Sequence, residues 1–204
     1  MHSPQGAFDL AAITIVQLCV MALVIAVILN FARARGGKRP GQVRRSPVAT
    51  GSMTAVLVGI CLLIQYRVGV LHALPLRNAI TVIGLLLLIT GTLVNILGRV
   101  QLGRNWANQA TVYADQTLVT SGLYGLVRHP LYASLIWMCY GGALVYHNAA
   151  AVLATLCLFY PMMIYRAGIE EAMLVAQFPA YADYQARVGR FFPRIFGGAD
   201  HAPH

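Results

Sequence analysis

Residues 18–29 read LCVMALVIAVIL, and residues 53–64 read MTAVLVGICLLI. Neither run contains a charge, and both belong to longer apolar stretches. A helix rises 1.5 Å per residue, so about 20 such residues cross the roughly 30 Å of a bilayer's hydrocarbon. Outward from these two anchors the chain offers five apolar stretches, at about 9–31, 48–70, 78–98, 131–146 and 148–168. The composition agrees: of 204 residues, 58% are hydrophobic and 10% charged, too greasy for one water-soluble domain of this size. The sequence therefore predicts an all-α, polytopic helical membrane protein. It has about five transmembrane helices and a C-terminal cytoplasmic interfacial helix.

The third stretch carries Gly84, Gly91 and Gly98 at intervals of seven, a stripped face that lets a neighbouring helix approach closely, and is expected inside the bundle. His147 and Asn148 are all that separates the last two stretches, so these form a tight helical hairpin. The first stretch has no basic region before it and too long an apolar core for a secretory signal, and is expected to remain in the mature protein.

Orientation follows from the basic residues. Alternate connections hold thirteen Lys and Arg against two, and the excess marks the cytoplasmic side. The N-terminus is thus expected outside and the C-terminus in the cytoplasm, in what reads as a bacterial inner membrane. The formal charge of +9 is accounted for by this topology and by attraction to anionic membrane lipids, and no nucleic-acid partner is expected. Cys19, Cys61, Cys139 and Cys157 lie far apart within apolar stretches and read as core packing. The histidines are scattered, and no metal is expected.

At Gly98 the character of the chain changes from hydrocarbon to a mixture of polar and aromatic residues. Three organisational parts result: N-terminal helices with a basic loop at 1–97, a candidate catalytic core at 98–194, and a tail at 195–204. The core holds Arg104 and Trp106, then Gly122-Leu123-Tyr124, then Arg128-His129-Pro130-Leu131-Tyr132. Pro130 suits the first turn of a helix, fixing Arg128 and His129 at its N-terminus. Further on come Arg166, Glu170 and Glu171. Four residues separate Arg166 from Glu170, which an intrahelical ion pair explains, yet adjacent carboxylates where a membrane helix emerges mark a polar ligand. Tyr181, Tyr184 and Val188 recur at helical spacing, as in an amphipathic helix lying on the interface.

In order, Gly-x-Tyr, Arg-His-Pro-x-Tyr, a hydrophobic hairpin, Arg-x-x-x-Glu-Glu-x-x-Leu, Phe-x-x-Tyr-x-x-Tyr and Arg-Phe-x-Pro resemble the isoprenylcysteine carboxyl methyltransferase and phospholipid methyltransferase family. The likeness covers about residues 98–194. Departures are Leu123, Ser134 and Pro179, of which Ser134 is expected to narrow the space over a cofactor. The resemblance implies an S-adenosylmethionine-dependent methyltransferase acting on a lipophilic or prenylated acceptor that enters from the bilayer. Tyr124, His129, Pro130, Tyr132, Glu170 and Glu171 are then the cofactor-binding residues. Arg128, His129 and Arg166 are the catalytic ones, and Arg166, Trp106 and Tyr181 contact the acceptor. An isoprenylcysteine-type carboxylate, a phospholipid amine and a small thiol are all compatible acceptors. Sterol reductases, which use a nicotinamide cofactor, look similar over the same core, but this chain is short of helices to enclose a sterol.

Overall fold

The computed structural model describes residues 4–34, 47–71, 76–103 and 117–194. Five apolar helices form its body: α1 (Pro4–Ala34), α2 (Pro47–Gln65), α3 (Arg77–Leu102), and, after a single turn α4 (Leu123–Leu126), α5 (Pro130–Val145) and α6 (Ala149–Gln177). A short α7 (Tyr181–Arg187) follows. Among the described residues, only α1, α3 and α6 have the length and hydropathy to cross a membrane unaided; the apolar parts of the other two, Gly51–Gln65 and Pro130–Val145, are shorter. The five stretches are therefore helices as expected, but unequal ones, and the protein is an integral membrane protein.

The seam between α3 and α5 organises the rest. On α3, Thr81, Gly84, Leu88, Gly91, Asn95 and Gly98 are buried at alternating steps of three and four, the spacing that keeps one stripe facing one neighbour. The backbones touch there. A Cβ on Gly141 of α5 would lie 2.7 Å from the Gly84 carbonyl oxygen and 2.7 Å from the Leu88 nitrogen, closer than atoms pack. In lipid there is no hydrophobic gain from joining two apolar helices, so contact at this distance is what holds them. The opposite side of α3 exposes Ile83, Leu86, Leu93 and Leu97 to the bilayer. The expectation that α3 lies inside the bundle is thus half met: the internal helix is α5, buried on several faces. One of its flanks packs with Ala12 and Val16 of α1, and another with Ile60 of α2 and with Ala151, Phe159 and Met163 of α6.

Of the cysteines, only Cys139 is buried. Cys61 and Cys157 are exposed, which corrects their reading as core residues: in lipid an outward thiol costs little. Asn148 joins three elements at the hairpin turn. Its Oδ1 accepts from the Ala151 N–H at 2.8 Å, capping α6, and its Nδ2 donates to the Leu63 carbonyl of α2 at 3.0 Å. Within α6, residues Thr155–Phe159 form a wider π-helical turn that exposes Leu156, Cys157 and Leu158. Beyond it Met163, Ala167 and Glu171 are again buried.

Candidate functional site

The hairpin brings the start of α5 beside the second half of α6, at the end of the molecule opposite Gln5 and Arg77. Pro130 is the first residue of α5 and His129 its N-cap position, as the sequence predicts. No side chain caps this helix. Instead the backbone before it pairs with the C-terminal segment: Arg128 N–H donates to the Gly189 carbonyl at 2.8 Å and His129 N–H to the Arg190 carbonyl at 3.0 Å. A turn just beyond makes this possible. A Cβ on Gly189 would sit 1.9 Å from the Phe192 carbonyl oxygen, so only glycine fits.

The adjacent acids point to different surroundings. Glu171 is turned into the protein, its side chain 4% exposed. Its Oε1 accepts from Arg128 Nε at 3.1 Å and Nη2 at 3.0 Å, from His129 Nε2 at 3.1 Å and from Arg190 Nε at 3.1 Å. Its Oε2 accepts from Gln185 Nε2 at 3.0 Å and from Arg190 Nη2 at 2.5 Å. Glu170, with its side chain 32% exposed, has its Oε2 3.6 Å from His129 Nδ1, beyond hydrogen-bond reach. Its charge and that of Arg166 both act on the Tyr132 hydroxyl. The Arg166 guanidinium carbon lies 6.0 Å from the centre of the Tyr132 ring. Arg166 and Glu170 are thus coupled through Tyr132 and not simply as neighbours along one helix. The Tyr132 ring in turn stacks on His129, with centroids 5.4 Å apart and 8° between planes.

Arg128 is committed elsewhere. Besides Glu171 it donates to the carbonyls of Gln185 and Val188, pinning α7 to the mouth of the hairpin. The tyrosines of that segment face inward: Tyr181 and Tyr184 are 2% and 4% exposed and pack edge to face. The predicted interfacial helix exists, but its aromatic stripe covers the charged cluster and not a lipid surface. The Tyr184 hydroxyl donates to the Tyr124 carbonyl, and the Tyr124 hydroxyl to the Gly98 carbonyl at 3.4 Å. Burial pushes the Tyr184 phenol up to about 12 and raises that of Tyr124. Both remain neutral donors near pH 7.

The structure therefore brings Tyr124, Arg128, His129, Tyr132, Arg166, Glu170, Glu171 and Tyr181 to one end of the hairpin. Trp106 lies outside the described residues. Ser134 departs from its expected place over a cofactor. It is wholly buried against α3, accepting from Asn95 Nδ2 at 2.8 Å and donating to the Leu131 carbonyl at 2.7 Å. Sequence reasoning overlooked Asn95, although a lone amide in an otherwise apolar span is a signal. It also assigned no role to Gln185 or Arg190, the latter standing first in the Arg-Phe-x-Pro ending.

Known proteins resemble this chain over much of this region. The chain is 41% identical over 97 residues to the cobalt-zinc-cadmium resistance protein CzcN of Cupriavidus metallidurans, covering 46% of this chain and 44% of that protein. It is 28% identical over 118 residues to protein-S-isoprenylcysteine O-methyltransferase of Saccharomyces cerevisiae, covering 56% and 49%. The chain thus spans about half the length of the curated relatives it matches. Among solved structures, the eukaryotic intramembrane Ras methyltransferase ICMT superposes with a TM-score of 0.54 at 26% identity, over 75% of this chain and 55% of that one. A family model for phospholipid methyltransferases matches residues 79–180, from the start of the glycine-striped α3 through the paired acids, and the chain belongs to that family.

Proposed function

We propose that this protein transfers a methyl group from S-adenosylmethionine to a lipophilic acceptor, an isoprenylcysteine-type carboxylate or a related nucleophile, at the cytoplasmic face of a bacterial inner membrane. The observation that carries this reading is the polar set Glu170, Tyr132, Arg166 and His129, held at the mouth of an apolar hairpin. Those residues fit the cofactor. A partly exposed carboxylate accepts from ribose hydroxyls or an ammonium group, tyrosine and histidine rings face adenine or a sulfonium, and a guanidinium matches a carboxylate with two bonds. S-adenosylmethionine, when bound, supplies a methyl group on a positively charged sulfur, open to in-line displacement without a metal.

The work left to the chain is alignment and exclusion of water. Arg128 is occupied by Glu171 and by backbone carbonyls; Arg166, beside the Tyr132 ring and four residues from Glu170, is the arginine assigned to a ligand carboxylate. Glu171 has its oxygens engaged by protein donors, so Glu170 is the ligand-facing acid. The C-terminal segment, with Phe191 edge-on to His129 at 6.2 Å, covers the cluster from the aqueous side. A carboxylate acceptor is already nucleophilic at pH 7 and needs no base. An amine or thiol loses its proton to His129. The relatives named as isoprenylcysteine methyltransferases support the carboxylate among these acceptors.

Calorimetry on the detergent-purified full chain tests the reading. Saturable binding of S-adenosylmethionine and S-adenosylhomocysteine is expected, and NADPH should not bind. Glu170→Gln should weaken cofactor binding about tenfold or more, the usual value of a hydrogen bond to a charged group. Binding of NADPH alone overturns the proposal in favour of a reductase.

A further inference from the structure

We infer that Arg190 and Gln185 are positioning residues that lock the Glu171 carboxylate as acceptor of the His129 Nε2 proton, leaving His129 Nδ1 as the lone pair that meets the ligand. The inference begins with what a carboxylate is able to do. Facing the guanidiniums of Arg128 and Arg190, Glu171 offers acceptors only, so the imidazole nitrogen 3.1 Å from its Oε1 is the one bearing hydrogen. The other nitrogen is 3.6 Å from Glu170, stands beside the ligand-facing acid, and has no such bond to it.

The terminal torsion of a glutamate is broad and settles nothing by itself. Its rotation must be fixed from outside. Oε1 takes Arg128 and His129 from the loop before α5 together with Arg190 Nε, whereas Oε2 is held by Gln185 and Arg190, both of the C-terminal segment. The same segment is fastened to the loop before α5 by the Arg128 and His129 amides, so its closure sets carboxylate and ring together. Arg190 is raised above the usual guanidinium range by its bond to Glu171, in keeping with a committed pair. His129 is otherwise bounded by the Tyr132 face and the Phe191 edge, neither of which selects between ring nitrogens.

The ring state is read directly by nitrogen-15 NMR of the histidine-labelled full chain in lipid bilayers, with the His129 signals assigned by their loss in His129→Asn. The neutral ring should show a protonated Nε2 and a bare Nδ1. Arg190→Met should give a mixture of both forms and Arg190→Lys should restore the first. Gln185→Leu carries the same reading if Arg190→Met fails to fold. A wild-type ring protonated on Nδ1, or a ring unchanged in both Arg190→Met and Gln185→Leu, overturns the inference. The consequence for turnover rests on the methyl-transfer reading. There, with an amine or thiol acceptor that gives its proton to His129, Arg190→Met should lower kcat at least about tenfold, with a much smaller change in cofactor Kd, as when the partner behind an oriented imidazole is lost. The ring signature needs neither cofactor nor acceptor, so absent S-adenosylmethionine binding would sink the methyl-transfer reading and leave this one standing.

Discussion

The two ends of the molecule use the same kinds of residues to opposite effect. At one end Arg77 meets Asp9 at 3.2 Å, with side chains 45% and 35% exposed, and Gln5 reaches Asn78 at 3.1 Å. At the other, Glu171 is buried to 4% and takes up two arginines, a histidine and a glutamine. Solvent screens the first pair and side-chain entropy offsets much of its attraction. The second cluster is out of water, where each charge must be matched and the loss of one leaves the others stranded. An ion pair thus reports on function less by its presence than by how many partners converge on it and how dry it is.

The sharpest way to break this contrast is Glu171→Leu. Removing the acid leaves the buried Arg128 without its counter-charge, and a loss of about 3–5 kcal/mol is expected in detergent unfolding, the range for a severed buried pair. A loss below about 1 kcal/mol would mean that the cluster is no more than another surface bridge. Gly141→Val comes next. Its side chain would press on backbone atoms of Gly84 and Leu88, which cannot turn aside, so a loss of about 1–3 kcal/mol is expected in the same titration, the usual cost of overpacking. Unaltered stability would show that the seam joining the two ends has slack. Smallest is Asp9→Asn, expected to cost about 0–1 kcal/mol and to leave cofactor binding alone. A large effect would make the exposed end as constrained as the buried one.

Much of the fold was legible because lipid leaves a chain few choices. Long charge-free runs must be helices, since no other open structure satisfies its own backbone there, and the glycine stripe on α3 announced a close neighbour. What lay beyond reach was the identity of that neighbour's surroundings: that α5 and not α3 is the inner helix depends on which flanks α1, α2 and α6 occupy, and sequence spacing along α5 does not encode that. The site shows the same division. Arg128, His129, Tyr132, Arg166 and the two acids stood out as polar residues at helix ends. The separate surroundings of Glu170 and Glu171 did not, because neighbours on a helix differ by about 100° in direction and only packing says which points inward. Arg190, Gln185 and Gly189 acquire meaning only when the chain folds back onto the hairpin mouth.

The wide turn at Thr155–Phe159 sets the heading of that mouth. Ala151, Thr155, Phe159, Met163, Ala167 and Glu171 are all buried, and they are spaced four apart throughout. On an unbroken α-helix each step of four overshoots a full revolution by about 40°, so five steps would swing Glu171 some 200° away from Ala151, onto the outer side. One extra residue taken up in the wide turn returns about 100° of that rotation. The bulge acts as a gear between the two halves of α6: the half nearer the Asn148 turn keeps its own packing, and the half nearer Gln177 is rotated until its acids engage the start of α5.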